Sequence, residues 1–182
     1  MAQQTYVTLL RGINVGGHHK VPMAILRKEM EALGFSKVIT LLNSGNVIFE
    51  VNDSPITRME EVVAKHLKQV FGFVIPVWII KGSDIKALIE KDPFQKVEVT
   101  KDTRLYVSFL KEPPQVALDL PWKSDDGSYT LIDVKDNIIC SVFDLSVGSS
   151  TKGMDELEKI FGRAITTRNW NTIVRLGDKI KD

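Results

Sequence analysis

One cysteine and three histidines are the whole supply of thiol and imidazole ligands in this chain, and Cys140, His18, His19 and His66 form no paired ligand motif. A structural zinc site is excluded on that ground, and no cofactor is expected. A lone cysteine also rules out an intramolecular disulfide and fits a reducing compartment. It lies in the β-like run DNIICSVFDL, where a buried, inert thiol is expected. Long hydrophobic runs are missing too. The longest, VFGFVIPVWII at 70–80, is broken by Gly72 and Pro76 and is too short to span a bilayer. The opening MAQQTYVTLL has no charged segment ahead of an apolar one, so a cytoplasmic protein with no membrane partner is expected. Net charge is only +1, which removes any global basic field that would draw nucleic acid non-specifically. What is present, 43% hydrophobic and 26% charged residues, is the composition of a folded domain.

Acid is absent from one place in particular. No carboxylate precedes Glu29, so Arg11, His18, His19, Lys20, Arg27 and Lys28 surround the glycines of RGINVGGHHK with uncompensated positive charge. A second acid-free window runs between Glu158 and Asp178 and holds Arg163, Arg168 and Arg175. Neither window is a nucleotide fingerprint. The first spaces its glycines G-x-x-x-G-G, which fits neither the dinucleotide motif nor a P-loop, and in VGSSTKGM the residue after the second glycine is Met154 where a P-loop needs lysine. A generic anion nest remains at the first window. Thr166, Thr167, Arg168 and Asn169, before Trp170, read as the approach to a helix, with Asn169 or Thr167 as a cap or as an anion contact. His66 falls beside an apolar helical stripe and reads as a hydrogen-bonded structural histidine.

Periodicity organises the rest. Residues 5–13 alternate as a strand ending at the glycine loop. Pro22 then opens a helix with Met23, Leu26, Met30 and Leu33 on one face and Gly34 at its end. KVITLL and NVIFEV flank Asn43-Ser44-Gly45-Asn46, a hairpin turn. Ser54-Pro55 is read as the start of the next helix, with Ser54 as its cap, and VIPVWII and a helix from Ser83 follow. The order β-α-β-β-α-β is the split β-α-β, ferredoxin-like arrangement. The expected fold class is α+β: a ferredoxin-like domain over 1–95, then a second small α+β domain over 96–182, read as a divergent copy although no residue-level repeat proves it. In that second half TRLYVSFL is a strand, SYTLIDV and NIICSVFDL a hairpin about Lys135-Asp136, Gly153–Phe161 a helix, and Trp170–Lys181 the last helix. Strands apolar at consecutive positions, such as VIPVWII, predict a first sheet covered on both faces, by the other half or by a partner chain.

YVTLLRGINVGGHHKVPM, LGF at 33–35, NSGNVIF at 43–49 and ITTRNWNTIVRL at 165–176 together resemble the largely bacterial family called domain of unknown function 1697. Members tend to carry proline-aspartate-glycine and arginine-serine-lysine before the penultimate helix; here that stretch is DLSVGSSTKGM. The resemblance implies a small cytosolic α+β protein and directs attention to Arg11, Asn14, Lys20, Ser44, Asn46, Arg168, Asn169 and Asn171. It supplies no catalytic residue. The expectation is a binding protein, or an enzyme, for a small phosphate- or carboxylate-bearing ligand held between the two halves. The alternatives are a nucleic-acid-binding module and a self-associating, homo-oligomeric domain.

Overall fold

A computed structural model of the chain describes residues 3–181. These divide into two compact units, one of residues 3–87 with 175–181 and one of residues 88–174.

The first unit runs β1 (Gln3–Leu10), α1 (Met23–Ala32), β2 (Ser36–Leu41), β3 (Asn46–Asn52), α2 (Ile56–Phe71), β4 (Val77–Lys81) and α3 (Gly82–Lys91), the last helix passing into the second unit. Its sheet has the order β2-β3-β1-β4, every pair antiparallel. Each β-α-β crossover therefore straddles a strand of the other, as a split arrangement requires. One face carries Tyr6, Leu10, Val47, Phe49, Val77 and Ile79, which α1 and α2 cover with Leu26, Met30, Met59, Val63 and Leu67. On the opposite face Val7, Leu9, Ile48, Trp78 and Ile80 are buried as well. That double burial accounts for the consecutive apolar residues of β4. His66 Nε2 of α2 lies 2.7 Å from Glu29 Oε2 of α1, a polar tie between the two helices. α2 ends at Gly72, in the left-handed conformation that closes helices. Its start differs from expectation. Pro55 itself holds the cap position, and the Ser54 hydroxyl donates back to Asn52 O at 3.1 Å.

The second unit runs β5 (Thr103–Leu110), β6 (Trp122–Lys123), β7 (Tyr129–Lys135), β8 (Ile138–Asp144), α4 (Ser150–Phe161), β9 (Ile165–Asn169) and most of α5 (Trp170–Gly177). Its antiparallel sheet is ordered β6-β7-β8-β5-β9. With β6 set aside, strand for strand this is the order of the first sheet, and the registers agree. Leu10 pairs with Val77 in the first, Leu110 with Ile165 in the second. The Leu10 N–H donates to Gly45 O and the Leu110 N–H to Asn137 O, each at 2.8 Å; Arg11 N reaches Pro76 O at 3.1 Å and Lys111 N reaches Ala164 O at 3.2 Å. Once the strands are superposed this way, TYVTLL at 5–10 stands over LYVSFL at 105–110. Where the first unit has α1, the second has the proline-bearing stretch 111–121, from which Leu118 joins the core of Leu110, Tyr129, Leu131, Phe143 and Leu157.

Three expectations differ from the structure. Thr166–Asn169, read as the approach to a helix at Trp170, do lead into α5 there, but they do so as the edge strand β9, because Ile165–Asn169 pair with Tyr106–Leu110. The last helix stops at Gly177, four residues short of Lys181. Ser149, outside the expected helix 153–161, accepts from Lys152 N at 3.3 Å and so starts α4 three residues earlier.

Candidate anion-binding site

The loop after β1 is built around one side chain. Asn14, at φ 55°, donates from Nδ2 to Val21 O at 2.9 Å and to Asn43 O at 2.8 Å, and its Oδ1 accepts from Val21 N at 2.8 Å. Its own N–H reaches His19 O at 3.0 Å. Asparagine tolerates the left-handed region and offers both donor and acceptor, so it can close a loop of this kind from inside. Both ends are anchored in the core by Ile13 and Val21. The His19 ring stacks on Phe73 with centroids 4.4 Å apart, and its Nδ1 lies 3.2 Å from Gly12 O. Between these anchors Val15, Gly16, Gly17, His18 and Lys20 stand in solvent, with a tight turn from His18 N to Val15 O at 3.1 Å.

Against this loop lies the 43–46 turn. Asn46 is fully buried and donates from Nδ2 to Leu41 O and to Ser44 Oγ, both at 2.9 Å. Gly45 takes φ 76°, and a Cβ there would come within 2.7 Å of both Ile13 Cδ1 and Leu10 Cβ. The two motifs of the first unit, RGINVGGHHK and NSGN, are thus one packed assembly, with Asn14, Ser44 and Asn46 occupied in holding it. Arg11 is half-buried and also engaged. The Lys20 and His18 side chains differ: neither forms a hydrogen bond or ion pair with the described residues. Nor does any described acceptor take the N–H of Gly16, Gly17 or Lys20.

Arg168, Asn169 and Asn171 belong to the second unit. Arg168 is buried on β9 and donates from Nη1 to Thr166 Oγ1 at 3.0 Å and to Thr167 O at 2.9 Å. Burial pushes its pKa down to about 10, which leaves it charged at neutral pH. Asn169 Oδ1 accepts from Asn171 N at 2.9 Å, capping α5, while Asn171 is exposed. Trp170 packs edge-on against Phe94 at 5.1 Å. The Thr167 and Ser108 hydroxyls meet at 2.7 Å across β5 and β9.

Phe73, which seats His19, escaped sequence reading. It sits 54 residues from its partner in a run that reads as ordinary core, and only the return of β4 beside β1 brings the two together. Among the described residues no group of three or more His, Cys, Asp or Glu side chains could hold a metal ion, and no helix is long and apolar enough to cross a membrane.

Two small antiparallel α+β units, with a stiffened glycine-rich loop at the end of the first strand, define the class of molecule. The chain belongs to the family described as protein of unknown function DUF1697, whose profile matches residues 3–139. Among solved structures it is similar to the conserved bacterial protein SP0830 from Streptococcus pneumoniae, at 27% identity and a TM-score of 0.69, over 99% of this chain and 100% of that one. Among curated proteins nothing matches.

Proposed function

We propose that this protein binds a small anionic ligand, bearing phosphate or carboxylate, at the 11–22 loop of its first unit. The observation that carries the reading is an exposed, acid-free loop in which the Lys20 side chain and the N–H groups of Gly16, Gly17 and Lys20 have no partner among the described residues, while its shape is fixed from within by Asn14. Free backbone N–H groups at Gly16, Gly17 and Lys20 supply directional donors, and the Lys20 ammonium supplies charge. Because Asn14 and the His19–Phe73 stack order the loop beforehand, little conformational entropy remains to be lost on binding. The strand order β2-β3-β1-β4 supports reading the first unit as ferredoxin-like, and the shared register supports reading the second as its divergent copy. Composition and the single cysteine support a cytoplasmic setting.

Nucleic acid is the weaker reading. Tyr6 and Phe49, the central aromatics of the first sheet, are wholly buried and offer no platform for base stacking. The test is a thermal-shift titration with inorganic phosphate, pyrophosphate and citrate on the wild type and Lys20→Ala. A ligand bound at the loop raises the wild-type melting temperature by mass action and does so less in the variant. Equal shifts in both proteins would remove the loop from consideration. Tighter, steeply salt-dependent binding to an oligonucleotide would replace the small anion with nucleic acid.

A further inference from the structure

On the first unit, away from the glycine loop, a cavity of about 290 Å³ opens beside β2. Its floor is apolar: Val38, Ile39 and Ile48. Its rim is basic, with Arg27, Lys37, Lys179 and Lys181 set against the single carboxylate of Glu50.

The groove has a local cause in the strand. Ser36 pairs with Glu50 and Ile39 with Ile48, so β2 holds one residue more than β3 over this stretch. That bulge puts Lys37 at φ 49° and lets the adjacent Val38 and Ile39 line one cavity, where a regular strand would point them to opposite faces. Its other wall comes from residues 178–181. Hydrogen bonds from Lys179 N to Leu176 O at 3.0 Å and from Ile180 N to Gly177 O at 3.1 Å curl the backbone after α5. Ile180 is then buried beside Gly82 and Thr5; a methyl group on Gly82 would lie 3.3 Å from Ile180 Cγ2 and 3.3 Å from Thr5 Cβ. Pinning Ile180 carries Lys179 and Lys181, its neighbours on either side, to the rim.

Charge bookkeeping leaves an excess. Lys37 pairs with Glu50 at 2.9 Å and Arg27 with Glu31 at 3.0 Å. Lys179 and Lys181 pair with no described residue. A greasy floor under two ammonium groups that no described carboxylate pairs selects a ligand with both characters. We infer that this groove is a second binding site, specific for a small amphipathic anion: an acid group on a short apolar body. The cavity sits at the lower end of small-molecule pockets in volume, so a compact soluble molecule fits it and a macromolecular surface does not.

Octanoate and acetate are the probes, compared by calorimetric titration at low salt. Octanoate binds, and acetate binds at least tenfold more weakly, because only octanoate covers Val38, Ile39 and Ile48. Lys179→Glu with Lys181→Glu weakens octanoate at least tenfold, and Ile39→Asp weakens it too. Circular dichroism checks that each variant is folded, and Lys179→Gln with Lys181→Gln gives a milder, same-signed loss if charge reversal unfolds the tail. Lys20→Ala leaves octanoate affinity unchanged, which separates this site from the glycine loop whatever becomes of that one. No octanoate binding, equal affinity for acetate, or loss in Lys20→Ala would each overturn the assignment.

Discussion

Gly45 is the residue on which the loop and the hairpin turn agree. Any side chain there meets Ile13 and Leu10 and must also adopt φ 76°. Gly45→Ala is expected to destabilise the protein by about 2–4 kcal/mol in urea unfolding, the cost of overpacking a core plus a left-handed alanine. A loss below about 1 kcal/mol would mean that Ile13 and Leu10 give way freely. Asn14→Ala removes three side-chain hydrogen bonds and should cost about 2–3 kcal/mol, at about 1 kcal/mol for each. Equilibrium unfolding in urea measures this as well, and no measurable change would show that solvent replaces those bonds. Asn14 was legible in the sequence as a polar residue of a special loop, but its role was not. An amide that grips a ligand and one that closes its own loop look alike until Val21 and Asn43 are placed beside it. Cys140 was easier, since its hydrophobic neighbours already implied burial. Desolvation, with Asp133 nearby, pushes its thiol up to about 12. The folded protein should therefore be inert to Ellman's reagent at mildly alkaline pH and release one equivalent of chromophore only when unfolded. Rapid labelling of the native state would contradict that placement.

Among the elements, the turn before β7 and the first turns of α4 are joined through one carboxylate. Asp126 Oδ1 accepts from Ser124 Oγ at 2.9 Å, Ser128 N at 3.0 Å and Ser128 Oγ at 2.7 Å, and Oδ2 meets Lys152 Nζ at 2.7 Å. The Lys152 ammonium first, then Ser128 and Ser124, hold this carboxyl well below the usual carboxylate range. A carboxyl whose pKa is depressed by folding stabilises the native state above its unfolded pKa of about 4, and that contribution disappears as pH falls toward the folded value. The melting temperature of the wild type should drop more steeply between about pH 5 and pH 3 than that of Asp126→Asn. Parallel acid limbs would assign the loss elsewhere, with Asp144, lowered by its bonds to Ser146, the next carboxylate to examine. β5 was readable to its ends, because TRLYVSFL is rich in β-formers. β9 was not, because Thr166-Thr167-Arg168-Asn169 carries the chemistry of a helix start and becomes a strand only through its ladder with β5, a partner some 60 residues away in sequence. Pairing of that kind overrides local propensity.

At the scale of the whole molecule, the strand order of the two sheets corresponds while the helix complement does not, and this is why letters alone hid the correspondence. TYVTLL and LYVSFL share a register, whereas the α1 position has no helical counterpart to align. Membership of the tail was also invisible in the sequence. Residues 175–181 belong with the first unit, and Leu176 and Ile180 are buried. Native-state hydrogen exchange should show amides of 175–177 opening together with β1 and β3, and not with β5 and β8. Coupling to β5 and β8 would reassign the tail.

Ile180 has a further meaning for how the molecule is made. Translation delivers residues 3–87 before residues 88–174, with the sheet of the first unit complete, yet the side chains that finish its packing emerge only after the second unit has been synthesised. Until then Gly82 and Thr5 lack the cover that Ile180 supplies. The second unit is thus an interruption within the first, whose packing is complete only once residues 175–181 have joined it.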